Sequence, residues 1–242
     1  MHVPSAAQLL ELWEVGTGSG PVQRALLLLA AAWPERPLAG LAAEPIGWCD
    51  GQLLTLRRHL FGDPIEAVVD CPQCGTRLEL SLRGSDFLVT GGSPAAPPVL
   101  ERDGYCIQLR LPTTLDLLEL PGGMTQEAAR ALLLARCIVE ARSGATNVAA
   151  EALPPTVVEA AVQAIAAADP QAELWLALQC PECGHPWQAL FDIASFLWRE
   201  LEAWAQRTLY AIDRLARAYG WSEAEILALS ARRRQTYLEM VS

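Results

Sequence analysis

The sequence predicts an α+β fold: a ribbon split into two β-hairpin knuckles, with N-terminal helices, an inserted α+β subdomain and a C-terminal helical tail. Three observations predict it. The string CPQCG at 71–75 returns as CPECG at 180–184. Each copy lies between strand-like runs, EAVVD and RLELSL around the first, ELWLALQ and WQALF around the second. Toward both ends of the chain the apolar residues follow helical spacing instead.

The chain has 242 residues, 52% apolar and 19% charged, which is the composition of a well-packed globular protein. Its net charge of −10 argues against broad binding to phosphate backbones. The most apolar stretch, Ala25 to Trp33, is far below the roughly 20 residues that span a bilayer. Met1 to Ala6 lacks the basic start of a signal peptide, so the expected location is the cytoplasm. Seven cysteines, an odd number in a reducing compartment, then point to metal over disulfides.

A Cys-x-x-Cys turn places two sulfurs on one ion because the chain reverses between them. Zinc takes four tetrahedral ligands and favours thiolates in structural sites. Cys71, Cys74, Cys180 and Cys183 are therefore the expected ligands of one structural Zn2+ in a split zinc ribbon. Gly75 and Gly184 supply the positive φ that lets the backbone turn past the sulfurs. With an offset of 109 residues, CPQCGTRLELSLRGSDFL aligns without gaps on CPECGHPWQALFDIASFL, with six identities in eighteen, as two copies of one hairpin would. His185 stands too close to Cys183 to serve the same ion well. Cys49, Cys106 and Cys137 have no partner spacing and read as buried thiols.

Along the chain, residues 1–63 form the N-terminal helical segment. Its helices are AAQLLELWEVG, VQRALLLLAAAW and DGQLLTLRRHL, stopped in turn by Gly16, Pro34 and Gly62-Asp63-Pro64. The first hairpin covers 64–89. The low-complexity run TGGSPAAPP, from Thr90 to Pro98, marks a boundary. The inserted subdomain covers 99–170. It opens with strands VLERD and YCIQLRL joined at Gly104, followed by a short helix capped by Thr113 or Thr114. Two further helices follow, one from about Thr125 to Ala141 and one from about Thr156 to Ala168. The second hairpin covers 171–191.

The tail, 192–242, begins with a long helix that Asp192 can cap and Gly220 can end. Ser222 and Glu225 then make a capping box, and Ser230 opens the final helix. Arg232, Arg233 and Arg234 run together there, which invites a nucleic-acid reading. Residues 193–242, however, hold seven arginines against six acids, a balance of only +1. These arginines, with Trp198, Trp204 and Trp221, are instead candidates for contact with a partner protein, since Trp and Arg dominate interface hot spots. No nucleophile–base pattern, phosphate loop or catalytic metal motif is present, so no catalytic residue and no small-molecule substrate are expected.

The chain resembles the T4-type baseplate hub assembly chaperones of phage tails and contractile injection systems. LLELWEVGTGSGPVQRALLLL at 9–29, LRRHLFGDPIEAVVDCPQCGTRLEL at 56–80 and IQLRLPTTLDL at 107–117 carry the likeness. So do CPECGHPWQALFDIASFLWRELEAWA at 180–205 and LARAYGWSEAEILALSARRRQTYLEMV at 215–241. The resemblance implies a non-enzymatic assembly factor or small component of the baseplate. Its implied partners are hub or spike-collar proteins, with incorporation into an injection particle. The rival reading from residues alone is a zinc-ribbon adaptor in transcription or RNA handling.

Overall fold

The structure, a computed structural model, describes residues 1–89 and 97–241. Most of the boundary read from TGGSPAAPP lies outside the described residues. The fold is α+β, mixing helices with small antiparallel sheets. The chain opens with α1 (Ala6–Gly16), α2 (Pro21–Ala32), α3 (Leu38–Ala42) and α4 (Ile46–Phe61). Strands β1 (Pro64–Asp70) and β2 (Arg77–Arg83) form the first hairpin. Then come β3 (Val99–Arg102), β4 (Tyr105–Leu109), α5 (Thr114–Leu118), α6 (Gln126–Cys137), β5 (Ile138–Ser143), β6 (Thr146–Asn147) and α7 (Pro155–Ala168). The second hairpin is β7 (Trp175–Gln179) with β8 (Pro186–Leu190), and α8 (Ile193–Tyr219), α9 (Glu223–Ala228) and α10 (Ala231–Met240) complete the chain.

Two compact units result, Met1–Glu35 with Ala194–Ser242 and Arg36–Ile193. In the first, α1 and α2 group with the C-terminal helices. Ser5 starts α1 with a capping box to Gln8, and Pro21 starts α2, where its missing N–H is harmless. Leu10, Ala205, Ile212, Leu215 and Ile226 form the core, with Trp13, Trp204, Trp221 and Tyr237 packed against it. Gly220, at φ 70°, ends α8 in the left-handed conformation. The Ser222–Glu225 box and the Ser230 cap then start α9 and α10 as the sequence predicts.

The second unit holds three separate sheets: β1–β2, β7–β8, and the four-stranded β3-β4-β5-β6. The last packs on α7 through Ile107, Leu109, Ala141, Leu153, Val157 and Ala161. Arg110 ties this sheet to α5 by a two-pronged bond to Asp116, 2.7 Å on each arm. Thr113 caps α5, and its N–H and hydroxyl both donate to Asp116 at 2.8 Å.

Three expectations need correction. The predicted helix to Ala141 stops at Cys137, because β4 offers an edge on which Ile138–Ser143 pair as a strand. Helix α4 starts at Ile46, earlier than predicted, with Pro45 as its N-cap residue and the Ile46 N–H donating to the Pro112 carbonyl. Cys106 is exposed, not buried: on β4 it alternates with Ile107 and Leu109, which point into the core.

Candidate metal centre

The two knuckles are built alike. In the first, the Cys71 N–H donates to the Thr76 carbonyl at 2.9 Å and the Gly75 N–H to the Cys71 carbonyl at 2.9 Å. In the second, the Cys180 N–H donates to His185 at 3.0 Å and the Gly184 N–H to Cys180 at 2.9 Å. Gly75 and Gly184 share the same φ of 72°. A side chain is disfavoured there, which is why glycine follows each second cysteine.

The hairpins bring the knuckles together crosswise. Cys71 Sγ lies 3.7 Å from Cys183 Sγ, and Cys74 Sγ lies 3.6 Å from Cys180 Sγ. All four sulfurs fall within 4.8 Å of one another. A tetrahedron of thiolates at about 2.3 Å from one ion has edges of about 3.8 Å, so the spacing matches a four-sulfur metal centre. All four cysteines are free, and both crosswise distances exceed the roughly 2.05 Å of a disulfide. The first cysteine of each pair is buried, Cys71 at 2% and Cys180 at 1% exposure, while Cys74 and Cys183 are exposed.

The electrostatics point the same way. Hydrogen bonds from Thr76 pull the Cys74 thiol down to about 6. At Cys183 the His185 backbone favours the thiolate, but loss of water and the three other sulfurs prevail and push it up to about 12. Four thiolates within 4.8 Å of one another would repel, and a cation among them would relieve that repulsion. Four sulfurs on one ion would complete a tetrahedral shell.

The remaining thiols lack this chemistry. Burial pushes Cys49 and Cys137 up to about 11 each, so both stay protonated at neutral pH. The Thr114 hydroxyl donates to Cys49 Sγ at 3.4 Å. His185 is not among the clustered groups and stacks on Trp187 at 6.2 Å.

Second contacts hold the hairpins in place. The Phe87 and Phe191 rings, just beyond the two hairpins, stack at 4.7 Å and 9°. The Gln171 amide donates to the Phe87 carbonyl at 3.0 Å, and its oxygen accepts from the Val89 N–H at 2.8 Å. One side chain next to the insert thereby grips the exit of the first hairpin. These pairs join positions more than eighty residues apart, and nothing in the local sequence announces them.

The sequence matches the family described as T4 bacteriophage base plate protein over residues 40–198. The chain belongs to this family. No curated protein and no solved structure matches it. This base plate protein is a structural component by family, and its matched region contains all four clustered cysteines. Among the described residues, no helix is long and apolar enough to cross a membrane.

The residues singled out for partner contact lie in the first unit of the base plate protein and are unequally placed. Trp198 is 3% exposed, with its indole against Gly16 and the Arg24 guanidinium 4.6 Å above its ring. That burial removes Trp198 from any surface. Trp204 is half-buried against the core. Trp221 is half-buried too, stacked on Tyr219 at 4.6 Å with Tyr237 edge-on at 5.0 Å. Arg232 and Arg233 are exposed, whereas Arg234 is partly buried.

Proposed function

We propose that this chain is a non-enzymatic assembly factor or small structural component of the baseplate or hub of a contractile, phage-tail-like injection system. It binds partner proteins, hub or spike-collar components, through a scaffold held by one structural Zn2+ on Cys71, Cys74, Cys180 and Cys183. The observation that carries this reading is the extent of the family match: 40–198 encloses both knuckles and the whole insert between them. The bound ion would supply folding free energy on the order of 10 kcal/mol, tying the ends of a long insertion together. The cysteines hold, Gly75 and Gly184 shape the turns, and no residue of the cluster has a free position at which to react.

Arg232 and Arg233, with Trp204 and Trp221, are the proposed partner-facing group. Deleting 222–242 is a poor test of this, because Ile226 at 0% exposure belongs to the first unit's core. Intact particles purified from a strain carrying a tagged full-length chain give a cleaner one. Mass spectrometry should find the chain bound to baseplate components, and its deletion should leave particles without finished baseplates. Normal particles from the deletion strain would refute the proposal.

A further inference from the structure

Helices α8 and α10 border an open groove of about 500 Å³, lined by Gln206, Arg207, Tyr210, Arg214, Gln235 and Leu238. Among the described residues two arginines and no carboxylate line it, in a chain of net charge −10. Arg207 is exposed and makes no ion pair among the described residues. Arg214 is held in place and makes no ion pair among the described residues. It donates to the Tyr210 hydroxyl at 3.1 Å and to the Val241 carbonyl, and its guanidinium lies 5.8 Å from the Tyr210 ring. Both of these hydrogen-bond partners are uncharged. Tyr210 is 61% exposed and offers its ring to solvent.

Arg207 and Arg214 are seven residues apart on one helix. They share a face and stand about 10.5 Å apart along the axis. Carboxylates at i and i+7 of a second helix repeat at the same spacing. An extended segment covers that distance in about three residues, an odd number that turns the two side chains to opposite faces. Tyr210 and Leu238 give an apolar floor between the two charges, suited to one aliphatic residue near i+4.

From this charge complementarity we infer that the α8–α10 groove docks an acidic amphipathic helix of a partner protein, with carboxylates at i and i+7 on Arg207 and Arg214. The inference rests on the proposed assembly role for the partner's being a component of the same particle. Its test does not.

A labelled synthetic amphipathic helix, with Glu at i and i+7 and Leu at i+4, is titrated against the full chain by fluorescence anisotropy. A companion peptide carries Lys at both Glu positions. The expected result is saturable binding of the Glu peptide alone, weakened about tenfold by Arg207→Glu, which removes one ion pair and adds a repulsion. Because Arg207 is exposed, that variant should melt like the native chain, and melting is measured alongside. Absence of saturable binding, equal binding of the Lys peptide, or indifference to Arg207→Glu would overturn the inference. So would displacement of the peptide by mixed-sequence duplex DNA, which makes the groove a phosphate site. Self-association abolished by Arg207→Glu would hand the groove to a second copy. Particle assembly unaffected by Arg207→Glu would count against the groove alone, whereas loss of the baseplate reading leaves the peptide result standing.

Discussion

The carboxylate of Asp169 accepts a hydrogen bond from the Gly47 N–H at 2.9 Å, across 122 residues of chain. The contact joins the start of α4 to the end of the insert, and it leaves no space at Gly47. A Cβ built there would stand 1.8 Å from Asp169 Oδ1 and 2.8 Å from the Ala172 backbone nitrogen. The second obstacle is main chain and cannot swing away.

Gly47→Ala should therefore destabilise the protein by about 1–3 kcal/mol. Gly51, one turn later in α4, is the control: a Cβ there meets nothing closer than Gln171 Cγ at 3.6 Å, an ordinary contact. Glycine inside a helix costs about 0.5–1 kcal/mol against alanine, so Gly51→Ala should stabilise. Urea unfolding of both variants checks the opposite signs. A shift in the same direction for both would show that the Asp169 contact does not set the fit.

What was legible in the sequence is what is encoded locally. The knuckles and the caps at Thr113, Ser222 and Ser230 each need only residues within about four positions, and each hairpin pairs two strands that adjoin one knuckle. Strand alternation around Ile107 and Leu109 also carried the exposure of Cys106, a signal that a count of apolar neighbours hides. The end of α6 was not legible: helix formers run into Ile138 and Val139 with no breaker, and the strand exists because β4 is there to pair with it. Helix α3 has only five residues, follows Pro37 and contains Gly40, so it has too little apolar pattern to announce itself. The Gly47–Asp169 and Gln171–Phe87 contacts depend on tertiary placement alone.

Stability should peak at mildly acidic pH, because two carboxylates titrate in opposite senses. Hydrogen bonds from Arg110 and Thr113 hold Asp116 well below the usual carboxylate range. The stability it contributes is complete above that range and is lost as pH falls through its folded value. Burial, with Asp192 and Asp169 nearby, instead raises Asp50 to about 8. There the folded state keeps a proton that the unfolded chain has released, so stability falls as pH rises from the ordinary carboxylate range toward 8. Asp50→Asn should flatten that alkaline limb and melt above the native protein at pH 8, with the gap closing toward pH 5. Asp116→Asn should cost about 3 kcal/mol, the low end for a broken buried pair, since the Arg110 side chain keeps 37% exposure. Melting followed across pH for the two variants tests both signs, and an unchanged alkaline limb in Asp50→Asn would contradict the assignment.

Arg234 carries a guanidinium nitrogen, Nη1, that is buried without a hydrogen-bond partner among the described residues, and burial lowers its pKa. It occupies the same face of α10 as Tyr237 and Leu238, which pack on the core of the first unit. An unsatisfied buried donor costs about 1–3 kcal/mol. Arg234→Met keeps the length of the stem and removes the orphaned group, so the variant should be more stable by about 1 kcal/mol. Arg232→Met and Arg233→Met, at exposed positions, should fall within about 0.5 kcal/mol of the native chain. Thermal melts of the three would discriminate them, and a destabilised Arg234→Met would mean that the guanidinium has a partner in solution.

The metal centre makes the sharpest demand. One zinc per chain should accompany the purified protein, measured by elemental analysis, and the cobalt-substituted form should show the absorption of a tetrahedral thiolate site. Iron in its place would give a coloured protein and overturn the zinc assignment while keeping the four-sulfur geometry. If the proposed ion is bound, removing it would leave four sulfurs within 4.8 Å that cannot all ionise together, and the hairpins would lose a tie across the insert. Chelation should then lower the melting transition of the second unit, with a loss that approaches the roughly 10 kcal/mol typical of structural zinc. Cys180→Ser, at 1% exposure, should abolish stoichiometric zinc, because it removes a ligand that solvent cannot readily replace. Cys106→Ser, on an exposed strand position, should change neither zinc content nor melting. A chain that holds no metal and melts identically with and without chelator would break the link between the cysteine cluster and the fold.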